Sequence, residues 1–520
     1  MFAVHWGKMF QAHPSGGKNY LHEFTHYRFT RVGPTSNNGF VQSPFTKTSK
    51  KTTMIENRRK FLAQSTLFTT FAISGTKSSG QIIGANERIN VAVCGIKGRG
   101  TSHMGGHGRQ KNVTISHLVD PDTRLHEARK KFIVSKFKNT PDCVQDVREV
   151  LDNKDVDVIS IATPNHWHSL MSIWACQAGK DVYVEKPLSH NLFEGKKLVE
   201  AAKKYKRIVQ HGTQNRSLSK WSTLANEIAS GKRGKLEVAL GTCHKRRKSI
   251  GFKESKNPPS ELNYDLWTGP APQEKYHENL VHYNWHWFWN YGNGDIGNQG
   301  VHQMDIARWM IPGAVWPKRV FSVGGRFGYK DQGETANTQL AIFDYGESLL
   351  VFDVRGLSGK SNMGVSNHVY FDQDAKQVTT KSHGLKNIKD PLAERGKVDI
   401  FENFIQAVRN RKENHLDAHV FEGHVSSGLC HLANLSYRLG EKSGFSKKNK
   451  SFGENKKAYE YLERMQDHLK ENGLKLEETD YIVGRTLHFD SQTETIIGDD
   501  QANGMLSRTY RPPYVVPEKV

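Results

Sequence analysis

A glycine-rich turn follows the first apolar strand pattern of the chain and precedes a helical stretch. The strand pattern covers residues 89–93, and the turn over residues 94–100 reads Cys-Gly-Ile-Lys-Gly-Arg-Gly. This order places the N–H groups and the positive end of a helix against a pyrophosphate. Gly95 allows the tight turn and Gly100 a close helix-to-strand contact, although Lys97 stands where the usual middle glycine would be. We expect contacts to a dinucleotide from Gly95, Lys97, Gly98 and Gly100.

A carboxylate ends the second strand pattern. Residues 113–119 read as a strand, and Asp120 follows them, about twenty residues after the glycines. A carboxylate at this place accepts hydrogen bonds from the adenosine ribose and repels a 2′-phosphate. Asp120 therefore favours NAD as the cofactor, with NADP left open. The alternative is an ordinary strand-end turn made by Asp120-Pro121-Asp122.

An imidazole and a carboxylate share one helix face in the second half of the chain. Asn298 can N-cap a helix on which His302 and Asp305 stand three residues apart. Such a pair can hold and move a proton, but the same spacing also suits a histidine that only hydrogen-bonds Asp305. No HExxH or comparable set of ligands accompanies them, so we predict no metal site.

These side chains need a scaffold that brings strand ends together. Residues 156–162 and 181–184 read as buried parallel strands with a helix over residues 170–179 between them. Strands that alternate with helices predict a doubly wound parallel sheet over residues 88–212. Ligands of such sheets bind beyond the carboxyl ends of the strands. Those ends carry Thr163, Pro164, Asn165 and His166 in one place and Glu185, Lys186 and Pro187 in the other.

A second domain with a different pattern follows. Several strand patterns alternate with helices in residues 213–520, and neighbouring strands predict an open, largely antiparallel sheet in an α+β domain with a C-terminal tail. The strands are expected over residues 236–243, 319–327, 338–345 and 348–354. An aromatic stretch over residues 276–291 is interpreted mainly as packing, with sugar contact as the alternative.

Together these motifs resemble the glucose-fructose oxidoreductase, inositol dehydrogenase and rhizopine-catabolism family, written Gfo/Idh/MocA. Glu185-Lys186-Pro187 matches the EKP motif of that family, and residues 163–165 precede it at the family's spacing. The resemblance extends over residues 88–520. It implies a Rossmann domain that binds NAD(P) and a substrate domain through which such proteins often form homo-oligomers. It also implies cofactor contacts from Thr163, Pro164, Asn165, Glu185 and Lys186.

The helix that carries His302 resembles the family's D-x-x-x-H-x-x-D site, with Asn298 in the first acid position. The resemblance implies that Lys186, His302 and Asp305 are catalytic. His302 would take the hydroxyl proton as general base, while Lys186 stabilises the developing alkoxide or relays the proton. Because Asn298 replaces an acid, either Asp305 or Asp295 is expected to support His302. Substrate contacts are expected from His166, Arg216, Trp287, Asp295 and Asn298.

The N-terminal segment resembles an export signal rather than a domain. Residues 1–53 contain one Leu and no Ile, and we predict that they are disordered or not translated. Residues 54–87 carry Arg58-Arg59, a short apolar stretch and small residues, in outline a twin-arginine signal and linker. We expect an exported, periplasmic protein with a retained cofactor, or a cytoplasmic one if the signal prediction fails.

Composition excludes several classes of function. The formal charge is +21, but it is spread among mixed-sign segments rather than collected on one helix, which argues against a nucleic-acid partner. No apolar run is long enough for a membrane span beyond the signal segment. The leading hypothesis is an NAD(P)-dependent oxidoreductase that acts on a sugar or cyclitol hydroxyl. An NAD-dependent glycosidase that works by transient oxidation and a non-catalytic sugar-binding protein are the alternatives.

Overall fold

The computed structural model describes residues 88–360, 362–372, 378–380, 398–445, 452–453 and 455–520. The segment 1–53 and the predicted signal and linker over residues 54–87 lie outside the described residues. In the described ranges, no helix is both long enough and apolar enough to cross a membrane.

Six parallel strands form the first sheet. They are β1 (Ile89–Cys94), β2 (Val113–Val119), β3 (Asp142–Val144), β4 (Val158–Ile161), β5 (Asp181–Val184) and β6 (Val209–His211). Their order in the sheet is β3-β2-β1-β4-β5-β6. The chain winds outward on one side of β1 and then continues on the other side, so the carboxyl ends of β1 and β4 flank the point where the winding reverses. Ligands of doubly wound sheets bind at that point.

Helices cover both faces of this sheet. The connections carry α1 (Gly98–Gly108), α2 (His126–Phe137), α3 (Arg148–Leu151), α4 (Asn165–Gln177) and α5 (Leu192–Tyr205). Alternate residues of β1 pack on opposite faces, with Ala92 against the side of α4 and α5 and Val91 against the side of α1. Helix α4 starts five residues before the predicted position, because residues 165–169 form its first turns after Pro164.

The second sheet is mixed and larger. It contains β7 (Leu236–His244), β8 (Arg319–Gly325), β9 (Thr338–Asp344), β10 (Leu349–Arg355), β11 (Val365–Phe371), β12 (Val378–Thr380), β13 (Glu441–Gly444), β14 (Asp480–Val483), β15 (Leu487–Asp490) and β16 (Thr495–Ile496). The main path runs β12-β11-β7-β10-β9-β8-β14-β13. Strands β7 and β10 pair in parallel, and the other pairs are antiparallel. The predicted fold class, a parallel Rossmann sheet followed by an α+β domain, is confirmed.

The remaining helices are α6 (Ser219–Ala229), α7 (Tyr264–Thr268), α8 (Gly294–Gly297), α9 (Gly300–Trp309), α10 (Ile400–Asn410), α11 (Val420–Arg438), α12 (Lys456–Glu471) and α13 (Asp500–Gly504). Helices α9 and α11 pack on one face of the second sheet, and α12 packs on the other. The prediction that Asn298 caps α9 is wrong, since Asn298 ends α8 and its oxygens accept hydrogen bonds from Lys186.

Two late segments complete the core of the first sheet. Phe404 of α10 packs with Val91 and Met104, and Tyr514 and Val516 pack with α4. The tail is fastened by Arg511, which donates to Gly269 O and Asp265 O. Residues that the sequence assigns to the second domain therefore finish the hydrophobic core of the first.

The glycine turn gives a first test of this fold. A Cβ on Gly100 would lie 1.9 Å from Gly95 O, whereas a Cβ on Gly105 in the same helix would meet only Arg109 Nη1 at 3.4 Å. We expect Gly100→Ala to lower the free energy of unfolding by about 1–3 kcal/mol and to weaken NAD binding. Gly105→Ala should stabilise the protein by about 0.5–1 kcal/mol. Denaturant unfolding measures both, and equal stability of the two variants would contradict the prediction.

Candidate active site

A cavity of about 600 Å³ lies beyond the carboxyl ends of β1, β2, β4 and β5. Most of the residues predicted to bind the cofactor line it, together with one residue predicted to bind the substrate. They are Gly95, Lys97, Gly98, Asp120, Thr163, Pro164, Asn165, Glu185, Lys186 and Asn298. Sequence positions that are far apart thus meet at the point where the winding of the sheet reverses.

The glycine turn has the shape that a bound pyrophosphate needs. Gly95 has φ +79°, and a Cβ there would lie 2.6 Å from Ala162 O. Gly100 is not on the cavity wall; it lets α1 approach the Gly95 carbonyl. Lys97 is exposed at the start of α1 and adds a positive charge at the helix N-terminus, where an anion is stabilised.

The Asp120 carboxylate faces this turn. Its Oδ2 accepts a hydrogen bond from Ile96 N at 3.0 Å, and its Oδ1 accepts one from Asp122 N at 3.0 Å. Burial raises the pKa of Asp120 to about 6, so the group is charged at neutral pH but close to titrating. Each oxygen keeps lone pairs for a ribose hydroxyl. The Thr163 hydroxyl, also on the wall, is buried and has no partner within the described chain. The residues present fit NAD.

The Glu185 carboxylate, predicted to contact the cofactor, is held by three hydrogen bonds within the protein. Its Oε1 accepts hydrogen bonds from Arg99 Nε at 2.6 Å and from His103 Nε2 at 3.2 Å, and its Oε2 accepts one from Lys186 N. Burial acts to raise the pKa of Glu185, but His103 and Arg99 keep it well below its ordinary value. Glu185 lies on the cavity wall, yet its charge serves to fix the glycine turn to the end of β5.

Lys186 of the first domain contacts the second domain through its side chain. Its Nζ donates to Asn298 O at 2.8 Å and to Asn298 Oδ1 at 3.3 Å. Burial lowers the pKa of Lys186, and the nearby positive charge of Arg99 lowers it further, against the opposing effect of Glu185. Both the ammonium and its partner Asn298 are on the cavity wall. The substitution of an acid by Asn298 thus gives the ammonium a neutral partner.

His302 is a buried residue of α9 and is not on the cavity wall. Burial lowers the pKa of His302 to about 3, and the charge of Lys186 lowers it further. His302 Nδ1 has no hydrogen-bond partner among the described residues. The expectation that Asp305 or Asp295 supports this imidazole is wrong, because both carboxylates are bound elsewhere.

Asp305 forms an internal ion cluster. Arg216 Nε donates to Asp305 Oδ2 at 2.8 Å and Arg216 Nη2 donates to Oδ1 at 2.8 Å, while Ser426 Oγ donates to Oδ1 at 2.6 Å. Burial acts to raise the pKa of Asp305, but Arg216 holds it below its ordinary value. Asp295 likewise accepts from Arg247 Nε at 2.9 Å. Arg216 also pairs with Glu422 at 2.9 Å. Asp305 and Asp295 therefore hold α9 and α8 against neighbouring segments and form no hydrogen bond with Lys186 or His302.

Four predicted substrate residues are not on the cavity wall: His166, Arg216, Trp287 and Asp295. His166 is buried, and its Nε2 lies 2.9 Å from Trp267 O. The Trp287 ring is also buried, and the Arg247 guanidinium lies 5.0 Å from its centre. The structure does not bring these side chains to the cavity, and Asn298 alone of the substrate set lies there.

The sequence reasoning missed several wall residues. The ring nitrogens of His168 lie 2.6 Å from Pro187 O and 2.8 Å from Thr163 O, which joins the two strand-end motifs. The aromatic stretch covers the cavity, with the rings of Trp285 and His286 stacked 3.7 Å apart. The high density of Trp and His in residues 276–291 was the sequence feature that could have predicted these wall residues. Within the described part of the chain, no group of three or more His, Cys, Asp or Glu is arranged to hold a metal ion.

Comparison with known proteins agrees with this architecture. Residues 89–213 match the model of the Gfo/Idh/MocA oxidoreductase family, NAD-binding Rossmann fold, and residues 248–323 match the C-terminal alpha/beta domain of that family. Both matched regions are thus similar to domains of the Gfo/Idh/MocA oxidoreductases, and the first is an NAD-binding Rossmann fold. The WlbA dehydrogenase of Chromobacterium violaceum, solved with NADH and UDP-GlcNAcA, is 18% identical and superposes with a TM-score of 0.51 over 68% of this chain and 95% of its own.

Relatives found by sequence match a smaller part of this chain at higher identity. A levoglucosan dehydrogenase of Pseudarthrobacter phenanthrenivorans is 28% identical over 185 residues, 36% of this chain and 39% of that protein. An alpha-N-acetylgalactosaminidase of Shewanella oneidensis is 27% identical over 135 residues, 25% of this chain and 29% of that protein. The chain thus matches well under half the length of these relatives.

The Asp120 carboxylate predicts a pH-dependent affinity for NAD. Asp120→Asn should raise the NAD dissociation constant about tenfold or more, because a hydrogen bond to a charged group contributes about 1.5–3 kcal/mol. In the parent protein, affinity should fall as the pH drops through about 6, where Asp120 gains its proton. Calorimetric titration from pH 8 to pH 5 measures both effects. Asp142→Asn, at an exposed position on β3, is the control, and a pH response retained by Asp120→Asn would contradict the assignment.

The ion cluster predicts a loss of stability. Asp305→Asn should lower the free energy of unfolding by about 3 kcal/mol, the lower end for breaking a buried pair, because Arg216 keeps Glu422. Since Asp305 has a lowered pKa in the folded state, its contribution is present at neutral pH and disappears as the pH falls through that pKa. Denaturant unfolding at pH 7 and pH 3 tests this, and a variant as stable as the parent at pH 7 would refute it.

Proposed function

We propose that this protein is an NAD-dependent oxidoreductase that moves a hydride to or from a hydroxyl-bearing carbon of a sugar or cyclitol. The observation that carries the proposal is the buried Lys186 side chain, which stands on the wall of the cavity that the glycine turn and Asp120 also line. A hydride can leave a carbinol only if the hydroxyl proton also leaves as the carbonyl forms. Lys186 can take up that proton as a neutral amine and, as an ammonium, stabilise negative charge on the substrate oxygen.

The cofactor supplies the hydride chemistry at the nicotinamide ring when bound. The glycine turn would hold the pyrophosphate, and Asp120 would accept hydrogen bonds from the adenosine ribose. Thr163 and Asn165 also line the cavity, and Asn165 Nδ2 donates to Asn293 Oδ1 at 2.9 Å. Contacts to these residues would orient the cofactor for reaction.

Lys186 is the group best suited to exchange the hydroxyl proton. Its pKa is lowered by burial, which brings an amine closer to the working pH than an ordinary lysine. Asn298 O and Oδ1 accept two hydrogen bonds from Nζ, so one N–H of the ammonium remains for a substrate oxygen. The rate of alcohol oxidation should therefore rise with pH as Lys186 loses its proton.

His302 acts in this proposal as a neutral imidazole. With a pKa of about 3 it binds no proton in the free protein at pH 7, because the charge of Glu185 only partly offsets the effects of burial and of Lys186. His302 is not on the cavity wall, so in this proposal it relays a proton and does not contact the substrate hydroxyl itself. The general-base role expected from the sequence thus passes in part to Lys186.

The sugar or cyclitol substrate is supported by the walls and by the relatives. The stacked Trp285 and His286 present an aromatic face to the cavity, and such faces pack against the C–H surfaces of sugar rings. Carbohydrate is the substrate class shared by the names of the levoglucosan dehydrogenase and the alpha-N-acetylgalactosaminidase.

A second candidate function is an NAD-dependent glycosidase. Several relatives are glycosyl hydrolase family 109 proteins, among them one of Shewanella pealeana that is 24% identical over 135 residues, 25% of this chain and 30% of that protein. Such an enzyme would oxidise a glycoside, release the aglycone and reduce the product, so that the cofactor ends unchanged.

Three further properties belong to the proposal. We propose that residues 54–87 direct export by the twin-arginine route, which carries folded proteins, and that the protein works in the periplasm. Because no pool of free nicotinamide cofactor is expected there, NAD should stay bound and be regenerated within one cycle. We also propose a homo-oligomer formed through the second domain. The sequence pattern of residues 54–62 supports the first of these.

The deciding experiment uses the purified protein. Denaturation should release a nicotinamide dinucleotide that mass spectrometry identifies, and turnover is then measured with single sugars, sugar pairs and aryl glycosides. Lys186→Ala and His302→Ala should each lower turnover by about a hundredfold or more while NAD binding persists. Released aglycone would favour the glycosidase.

Matched controls keep the result interpretable. Lys180 lies at the opposite end of β5, and its Nζ donates to Asn153 O at 2.6 Å. His468 is a buried histidine of α12 that does not line the cavity. Lys180→Ala and His468→Ala can change the stability of the protein, but the folded variants should turn over substrate at the rate of the parent protein. Full activity in both Lys186→Ala and His302→Ala would remove the proposed site.

A further inference from the structure

A second cavity, of about 160 Å³, lies outside the candidate active site. It is enclosed by the residues before α5, the end of the aromatic stretch, the C-terminal half of α11 and residues 504–508. Its polar lining includes His190, Asn293, His431, Asn434, Arg438 and Arg508. We propose that this cavity is a binding site for a small oxyanion, namely the carboxylate or phosphate group of a small molecule. The proposal is independent of the reaction proposed above.

Arg508 presents a fork that is built for two oxygens. Its Nη1 donates to Asn290 O at 2.8 Å. Its Nε and Nη2 are buried and have no hydrogen-bond partner among the residues that the structure describes. Glu194 Oε1 lies 4.0 Å from Nε, beyond hydrogen-bond distance. The Nε–H and Nη–H groups on one edge of a guanidinium match the two oxygens of a carboxylate or phosphate.

His190 adds a second group without a partner. It is 9% exposed, it lines the cavity, and neither of its ring nitrogens is hydrogen-bonded within the described chain. Burial and the charge of Arg508 keep the pKa of His190 well below its ordinary value, so the ring is neutral with one donor and one acceptor. An anion oxygen that accepts from this ring and from Arg508 satisfies buried donors that are otherwise unpaired.

The charge balance of the wall also favours an anion. Among the described residues that line the cavity there are two arginines and no carboxylate. The nearby Glu194 is already committed, since His190 N donates to its Oε2 at 2.9 Å and Asn191 Nδ2 to its Oε1 at 3.0 Å. Arg438 is fixed over the Trp289 ring, 5.0 Å from its centre. The wall therefore carries two positive charges, and Arg508 has the Glu194 carboxylate 4.0 Å away but no hydrogen-bond acceptor for its Nε and Nη2 in the described chain.

One residue connects this cavity to the dinucleotide cavity. Asn293 Nδ2 donates to His190 O at 2.9 Å, and Asn293 Oδ1 accepts from Asn165 Nδ2 at 2.9 Å. Asn165 lines the larger cavity and Asn293 lines the smaller one. The two sites are separate but share a wall, so the ligand of the smaller cavity contacts the support of a predicted cofactor residue.

Isothermal titration of the full-length protein tests the proposal, with sodium phosphate in one arm and sodium acetate in the other, both at constant ionic strength. We expect saturable binding of one anion per chain, and the arm with the tighter binding identifies the group as phosphate or carboxylate. Arg508→Gln should weaken that binding at least tenfold, and His190→Gln should weaken it severalfold. Arg485→Gln is the matched control, because Arg485 pairs with Asp499 at 2.9 Å on the surface and its loss changes the net charge equally.

The design also covers a variant that fails to fold. Circular dichroism and a melting curve check each protein, and Arg508→Lys keeps the charge while it removes the fork. Tenfold weaker binding in Arg508→Lys with unchanged binding in Arg485→Gln supports the site. The proposal is overturned by the absence of saturable binding of either anion at millimolar concentration. It is equally overturned by binding that survives in both Arg508 variants or that falls to the same extent in Arg485→Gln.

Discussion

The carboxylate of Glu185 is the ion on which the candidate active site depends. It binds Arg99 of the glycine turn, His103 of α1 and the backbone of Lys186 at once. Because an unpaired buried carboxylate is strongly destabilising, Glu185 needs such partners in the folded protein. The position of the Lys186 ammonium is thereby tied to the position of the turn that holds the cofactor. Two elements almost ninety residues apart are thus held in one geometry by a single charge.

The parts of this site that sequence reasoning located are those set by local backbone rules. Gly95, Gly100 and Asp120 stand at fixed offsets from their strands, and a parallel sheet necessarily brings the carboxyl ends of those strands together. Lys186 follows β5 in the same way. The fold class was accessible for the same reason, since the alternation of strands and helices is a short-range property of the chain. The EKP resemblance then added the role of the lysine.

The parts that it did not locate depend on long-range partners. Spacing along a helix places His302 and Asp305 on one face, but it does not show which side chain from another segment reaches that face first. Arg216 and Ser426 bind Asp305, and Arg247 binds Asp295, because buried carboxylates take the strongest donors within reach. Asn298 lies at the cavity as predicted, but it accepts hydrogen bonds from the Lys186 ammonium and does not cap α9. The partner of each of these polar side chains is thus determined by which donors are buried with it, and not by its spacing along the helix.

The return of the chain to the first domain has a consequence for biosynthesis. Phe404, Tyr514 and Val516 complete the core around the parallel sheet, yet the ribosome makes them some two to three hundred residues after the last strand of that sheet. A domain usually folds as soon as its own segment has emerged. Here the helices of the first domain cover its sheet early, but the packing around Phe404 on one face and around Tyr514 and Val516 on the other is completed only when those later residues have been made. The first domain therefore reaches its final packing only together with elements of the second.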